Sequence, residues 1–359
     1  MTDNAANRRD FLTGKALRSN IERAGDELAD EIAAADAIPS AGDTVRLATR
    51  AMACEFAIIM NPGPADQVTK ASAALDRVHE LEAQMTVYRD ESELSQINRR
   101  AADEPVEVEA ALFELLLQAR QIAVETNEAF DPTAGPLIDL WRTCRQAVRL
   151  PTDDEINERQ ELTGIDQIDF DEDLCAVSFR KPGVELNLGG IGKGYALDRV
   201  GQLLLDDGLD NWLFHGGNSS LLARGNHNAL GGWPVGLRNP LFPKQRLATV
   251  LLRDCALSTS GTGVQHFRLE GERYGHILDP RSGWPADGML SVTVLAPTAA
   301  DADALSTAFF VMGVESSQHY CDNRDGVGAI LIPPPRRGRT LEPIVCGISE
   351  EALFFTETP

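Results

Sequence analysis

Residues 185–198, ELNLGGIGKGYALD, run from a short apolar segment through a glycine turn into a helix. Leu186 and Leu188 read as a strand and Gly189-Gly190 as the turn. Gly192-Lys193-Gly194 then forms the first turn of a helix over about 191–206. Glycines at such a place let a ligand approach the backbone closely. The free N–H groups and the helix dipole favour an anion, and Lys193 adds a cation. The spacing matches neither the P-loop pattern nor the GxGxxG dinucleotide fingerprint. A glycine turn needed only for tight helix–strand packing stands as the alternative.

Outward from this turn, strands and helices come in blocks. Upstream, 44–49 and 56–60 read as strands. After Asn61-Pro62-Gly63-Pro64 the apolar positions Val68, Ala71, Leu75 and Val78 keep helical spacing, and a second helix covers about 109–127. Asp131–Pro136 is rich in turn residues, and 152–173 is a variable acidic stretch. Downstream, 212–215, 234–238, 248–253, 291–296 and 327–332 read as short strands between Gly/Pro loops. Blocks of this kind predict an α+β fold, one domain over 44–359 with mixed or antiparallel sheets and packed helices, rather than a βαβ alternation. Pro333-Pro334-Pro335 and the basic cluster after it read as a surface loop.

The polar, Ala-rich residues 1–43 read as a mobile arm or an isolated amphipathic helix, outside the core. Arg8-Arg9 resembles a twin-arginine export signature, but Lys15, Arg18, Glu22 and Arg23 interrupt the apolar run such a signal requires. The expectation is a cytoplasmic protein, with export through a degenerate signal as the alternative. No stretch of about 18 apolar residues predicts a membrane span.

The 359 residues carry 33 basic and 55 acidic side chains, a net charge of −22 that repels polyphosphate backbones and argues against nucleic acid as the partner. An anionic small ligand then needs a local cation or a helix N-terminus to hold it. The six cysteines form no CxxC pair, so zinc knuckles and thioredoxin-like sites are not expected and the thiols read as small core residues.

A second informative stretch is Thr298-Ala-Ala-Asp301-Ala-Asp303-Ala-Leu-Ser306-Thr307. Thr298 with Asp301 resembles a capping box built with the shorter acid. Asp303 has no such explanation, and Thr307 follows it by one helical turn on the same face. One carboxylate, one hydroxyl and a carbonyl suit a hard cation such as Mg²⁺, which keeps waters and bridges substrate phosphates. In the competing reading Thr307 bonds back to the Asp303 carbonyl and Asp303 faces water. A third stretch, Tyr274-Gly275-His276-Ile277-Leu278-Asp279-Pro280, sets His276 at a strand end. There it serves either as a general base or in a local hydrogen bond. Tyr88 in its polar loop either stacks on a planar ring or packs under the loop.

Taken in order, MACEF (52–56), MTVYRDESELSQIN (85–98), FDPTAGPLIDLW (130–141), LNLGGIGKGYALD (186–198), FHGGNSS (214–220), WPVGLRNP (233–240), ALSTSG (256–261), GHILDPRSG (275–283) and SVTVLAPTAADADALSTAFFVMG (291–313) resemble the ApbE family of FAD-dependent protein flavinyltransferases. The resemblance covers about residues 44–333 and implies an α+β fold. It implies Mg²⁺-dependent attack by a Thr or Ser hydroxyl of an acceptor flavoprotein on the FMN phosphate of FAD, with AMP leaving. By the same resemblance Met52, Tyr88, Ala129, Phe130, Asp131, Asn187, Lys193 and Ile277 touch FAD. Gly190 through its carbonyl, with Asp303, Ser306 and Thr307, lies at the Mg²⁺, and His276 assists proton removal.

Three positions depart from the family pattern: Asn187 stands where Asp is usual, Gly216-Gly217-Asn218 replaces Gly-Gly-Asp, and Met52-Ala53-Cys54 replaces Met-Gly-Thr. An FAD pyrophosphatase that uses water as acceptor, or a non-catalytic FAD-binding protein, are the alternative functions. The chain carries no Asp-x-x-[Ser/Thr]-Gly-Ala-Thr stretch of its own, so the acceptor is expected to be another polypeptide.

Overall fold

In the computed structural model, residues 20, 21, 23–25, 44–262, 266–269 and 271–356 are described. Eight strands form one sheet: β1 (Val45–Ala51), β2 (Cys54–Met60), β3 (Trp212–Gly216), β4 (Ser220–Arg224), β5 (Ala256–Gly261), β6 (Ser291–Ala296), β7 (Gly328–Ile332) and β8 (Ile344–Cys346). They lie side by side in chain order, each antiparallel to the next. Successive side chains on a strand point to opposite faces, and both faces here are covered. Ile58, Phe214, Val292 and Val294 face the helices. Ile59, Leu213, Leu221, Leu257 and Ile330 face a second antiparallel sheet made of Trp233–Arg238, Arg246–Leu252 and Leu353–Phe355. The order of layers is therefore helices, large sheet, small sheet. This is the α+β architecture expected from the block pattern.

The helical layer comes from two insertions. Between β2 and β3 run α1 (Asp66–Met85), α2 (Glu93–Arg100), α3 (Ala110–Glu125), α4 (Gly135–Gln146), α5 (Asp153–Gln160) and α6 (Gly192–Asp206); α7 (Ala299–Asp322) joins β6 to β7. The acidic stretch at 152–173 is not irregular. It contains α5, closed by a Thr152–Glu155 capping box, and the strand Ile168–Asp171. On α1 the buried stripe is Gln67, Ala71, Ala74, Leu75, Val78, Leu81 and Met85, while Val68, expected on that face, is 38% exposed and Gln67 beside it is buried instead. On α7 the helix bends at Gly313, whose φ of 79° only glycine adopts readily. Ser317 donates to the Gly313 carbonyl at 2.6 Å, satisfying an acceptor that the bend frees.

Residues 186–188 belong to no sheet, contrary to the strand expected there. The Asn98 side chain takes the place of a neighbouring strand, accepting from Leu186 N at 2.8 Å and donating to Leu186 O at 2.9 Å. The Asn187 N–H donates to Pro132 O at 2.7 Å. The glycine turn is thus anchored by the Asn98 amide of α2 and the Pro132 carbonyl.

Most of residues 1–43, including Arg8-Arg9, lies outside the described residues. Of the part that is described, 20, 21 and 23–25 are helical, Ile21 is buried, and Gly25 lies against Thr249 of the small sheet. Among the described residues no helix is long and apolar enough to cross a membrane. No disulfide joins the six cysteines: Cys144, Cys321 and Cys346 are buried, and the other three are partly so.

Candidate active site

The register of the large sheet brings the β1–β2 turn, the β3–β4 turn and the end of β5 to one edge. The N-termini of α6 and α7 cross above that edge. The crossing is close: a Cβ on Gly194 would lie 2.0 Å from the Ala299 carbonyl oxygen. Glycine is therefore required at 194 by backbone contact, beyond any part it takes in binding.

Asp303 sits at the crossing and is 4% exposed, which removes the reading in which it faces water. Its Oδ1 accepts from Ser220 Oγ at 3.0 Å and Ser258 Oγ at 3.1 Å. Its Oδ2 accepts from the Gly194 N–H at 3.1 Å, and Lys193 Nζ is 3.3 Å from both oxygens. Ser220 and Ser258 are directly paired across β4 and β5, which is why both reach one carboxylate oxygen. Three members of this set stood out in the sequence, Lys193, the N–H groups that open α6, and Asp303, but the first two were expected to face a bound anion; here Lys193 and the Gly194 N–H meet Asp303 itself.

Around the carboxylate the other donors are oxygens. Ser306 Oγ donates to the Asp303 carbonyl at 3.0 Å, and Thr307 Oγ1 stands 3.5 Å from the same carbonyl, so the back-bonding reading of Thr307 describes its resting contact. Ser260 Oγ bridges the two, 2.9 Å from Ser306 Oγ and 3.5 Å from Thr307 Oγ1. A Cβ on Gly190 would lie 3.2 Å from the Phe130 ring and 3.7 Å from Thr307 Oγ1, so the glycine turn, Phe130 and Thr307 are mutual neighbours. One carboxylate with hydroxyls and a carbonyl, and no cluster of three His, Cys, Asp or Glu among the described residues, is a donor set that fits a hard cation and not zinc.

Asp301 differs from expectation. Its N–H donates to Thr298 Oγ1 at 3.1 Å, giving the N-cap, but its carboxylate accepts from Gln118 Nε2 at 2.8 Å instead of returning to Thr298. The shorter aspartate forms only half of the capping box.

The remaining sequence-selected residues divide into those placed at the crossing and those away from it. Ala129, Phe130 and Asp131 are buried beside the glycine turn. Asp131 Oδ1 accepts from Thr133 N at 2.7 Å and Thr133 Oγ1 at 2.6 Å, while Oδ2 is buried with no partner. Burial pushes its carboxyl up to about 6. Asn187 Oδ1 accepts from Gly189 N at 2.9 Å, shaping the turn from within, a task that needs no charge. Met52 occupies the β1–β2 turn with φ 50°, and its N–H donates to Glu82 at 2.7 Å.

His276 is exposed just past the strand Glu272–Gly275. With Ile277, Gly261 and Thr262 it lines a small recess closed by Phe310, one turn beyond Ser306 on α7. Tyr88 is 75% exposed and does not pack under its loop; the Arg142 guanidinium lies 5.7 Å from its ring centre. Sequence reasoning singled out no role for Ser220, Ser258, Ser260, Asp198 or Asn98. The serines stand in the FHGGNSS and ALSTSG blocks, and only strand pairing reveals that they converge.

The ApbE family profile matches residues 50–331. The FAD:protein FMN transferase of Klebsiella pneumoniae (strain 342) is 35% identical over 268 residues, covering 74% of this chain and 83% of that protein. The FAD:protein FMN transferase of Treponema pallidum (strain Nichols) is 34% identical over 291 residues, covering 76% and 80%. Among solved structures, the ApbE protein of Thermotoga maritima superposes with a TM-score of 0.74 at 31% identity over 84% of this chain and 96% of that one. The flavin transferase ApbE of Vibrio cholerae superposes with a TM-score of 0.72 at 26% identity over 84% and 97%.

Proposed function

The chain belongs to the ApbE family and is an FAD:protein FMN transferase, and on that premise we propose how its residues carry out the transfer. The hydroxyl of a Thr or Ser on an acceptor flavoprotein attacks the FMN phosphorus of FAD. A new phosphorus–oxygen bond forms, the bond to the bridging oxygen of the AMP half breaks, and AMP leaves. In-line displacement of this kind demands positioning and charge neutralisation above all.

The observation that carries this reading is the buried carboxylate of Asp303, held by four groups from three elements beside a row of hydroxyls at the glycine turn. Asp303, Ser306, Thr307 and the Gly190 carbonyl are the residues to hold a Mg²⁺ ion, whose contribution when bound is to neutralise charge on the pyrophosphate. Lys193 brings a second positive charge to the same place. Phe130 and Asp131 beside the turn, Met52 above the sheet edge, and Ile277 in the recess are assigned to FAD. Tyr88 is assigned to it as an exposed ring. His276 is assigned to take the proton of the attacking hydroxyl.

The test is product analysis after incubating the full chain with FAD and Mg²⁺, with and without an acceptor flavoprotein. AMP together with flavin bonded to the acceptor is the expected result. AMP with free FMN in both arms would identify a pyrophosphatase, and intact FAD in both arms a flavin carrier.

A further inference from the structure

Asp198 has no part in the roles above. It projects from α6 toward the start of α7, where its Oδ1 accepts from Ala299 N at 2.8 Å and its Oδ2 from Ala300 N at 2.8 Å. These are free N–H groups of the first turn of α7. The helix already has its own N-cap in Thr298. The Asp198 contacts are therefore a link between helices, not a local cap.

The link is reciprocal. Asp198 stands one turn after Gly194 on the same face of α6, and Asp303 stands one turn after Ala299 on α7. Each helix thus offers an aspartate to N–H groups in the first turn of the other, since Asp303 accepts from Gly194 N at 3.1 Å. Two such clasps, about one helical turn apart, set the rotation of α7 as well as its distance from α6. The missing Cβ of Gly194 permits the approach the clasps require.

We infer that Asp198 is a positioning residue that holds α7 in register on α6, so that Asp303 and Thr307 meet the Gly190 turn in the geometry that binds the metal. The inference rests on the reading of the Asp303 centre given above. The carboxylate is kept at some electrostatic expense: lost hydration, together with the nearby Asp301 and Asp303, pushes its pKa up to about 7.

Mn²⁺ titration of the full chain, followed by electron paramagnetic resonance with and without FAD, tests this in Asp198→Ala, Asp198→Asn and Thr298→Ala alongside the unaltered protein. Thr298→Ala weakens the same helix end without touching α6, so it controls for helix stability. It is expected to lower the Tm and to leave Mn²⁺ affinity within about twofold. Asp198→Ala is expected to weaken Mn²⁺ binding by about tenfold or more, as loss of a group that orients a ligand does elsewhere. Asp198→Asn, with one acceptor oxygen left, is expected to fall between. Unchanged affinity in the Asp198 variants, or equal weakening by Thr298→Ala, overturns the inference. If Asp198→Ala fails to fold, Asp198→Asn decides by the same comparison. Absence of Mn²⁺ binding in the unaltered protein contradicts the metal reading of Asp303 itself, a separate failure.

Discussion

Lys193 Nζ lies 3.3 Å from each carboxylate oxygen of Asp303, so the ammonium straddles the group assigned to the metal. The pair is partly buried, with side-chain exposures of 25% and 6%. In a chain of net charge −22 this is the cation proposed above to offset the charge of an anionic ligand.

Lys193→Met separates its two tasks. Losing the positive charge weakens attraction for FAD, and KM for FAD is expected to rise about tenfold, equivalent to about 1.4 kcal/mol. The same loss removes a competitor for Asp303, so the Mg²⁺ concentration for half-maximal rate is expected to fall or stay level. Steady-state kinetics with FAD and Mg²⁺ varied independently check both, and a rise in the Mg²⁺ requirement would contradict the assignment.

Gly194→Ala places a Cβ 2.0 Å from a backbone oxygen that no rotamer change can move. The two helix ends must part, at a cost of about 3 kcal/mol. Urea unfolding is expected to show that loss, and a midpoint equal to that of the unaltered protein would mean that the crossing is looser than described.

Asp131 titrates higher in the folded chain, at about 6, than its ordinary 3.8. A raised carboxyl contributes stability that is complete below the unfolded value and is lost as pH rises through the folded one. Asp131→Asn escapes that loss. Relative to the unaltered protein it is expected to gain about 1.4 kcal/mol between pH 5 and pH 8. Urea unfolding at the two pH values checks the sign; a relative gain at the lower pH would refute the burial argument.

Met52 and Ala53 close the two-residue β1–β2 turn with φ of 50° and 59°. Both sit in the left-handed region that such turns require and that glycine fills best. Ala53→Gly, toward the Met-Gly-Thr pattern of the family, is expected to stabilise the chain by about 1 kcal/mol. Thermal unfolding tests it, and a lowered Tm would show that the strain is relieved by contacts of the Ala53 methyl.

The parts of this fold legible in the sequence are those set by local pattern. Ser291–Ala296 is a β-branched, apolar run that ends at Pro297, and α6 begins at Gly192 where its glycines and Lys193 announce a helix start. Residues 186–188 misled because Leu186 and Leu188 carry an apolar pattern while the backbone bonds of the stretch go to the Asn98 amide, the Pro132 carbonyl and the turn that opens α6, with no neighbouring strand among them. Asp303 stood out by chemistry, as a carboxylate without a local partner. Its actual partners were hidden, because Ser220 and Ser258 meet only through the register of β4 on β5. Asp198 was hidden for the same reason: its partners lie a hundred residues away, across a helix crossing that no local spacing announces.

The most direct test of the Asp303 centre is the rate of flavin attachment to an acceptor flavoprotein, followed by mass spectrometry at several Mg²⁺ concentrations, for the unaltered chain and Asp303→Asn. The unaltered chain is expected to require Mg²⁺, and the variant to lose two or more decades in rate, about 3 kcal/mol of transition-state stabilisation. Attachment that proceeds in excess chelator, or at a near-normal rate in the variant, would contradict the account.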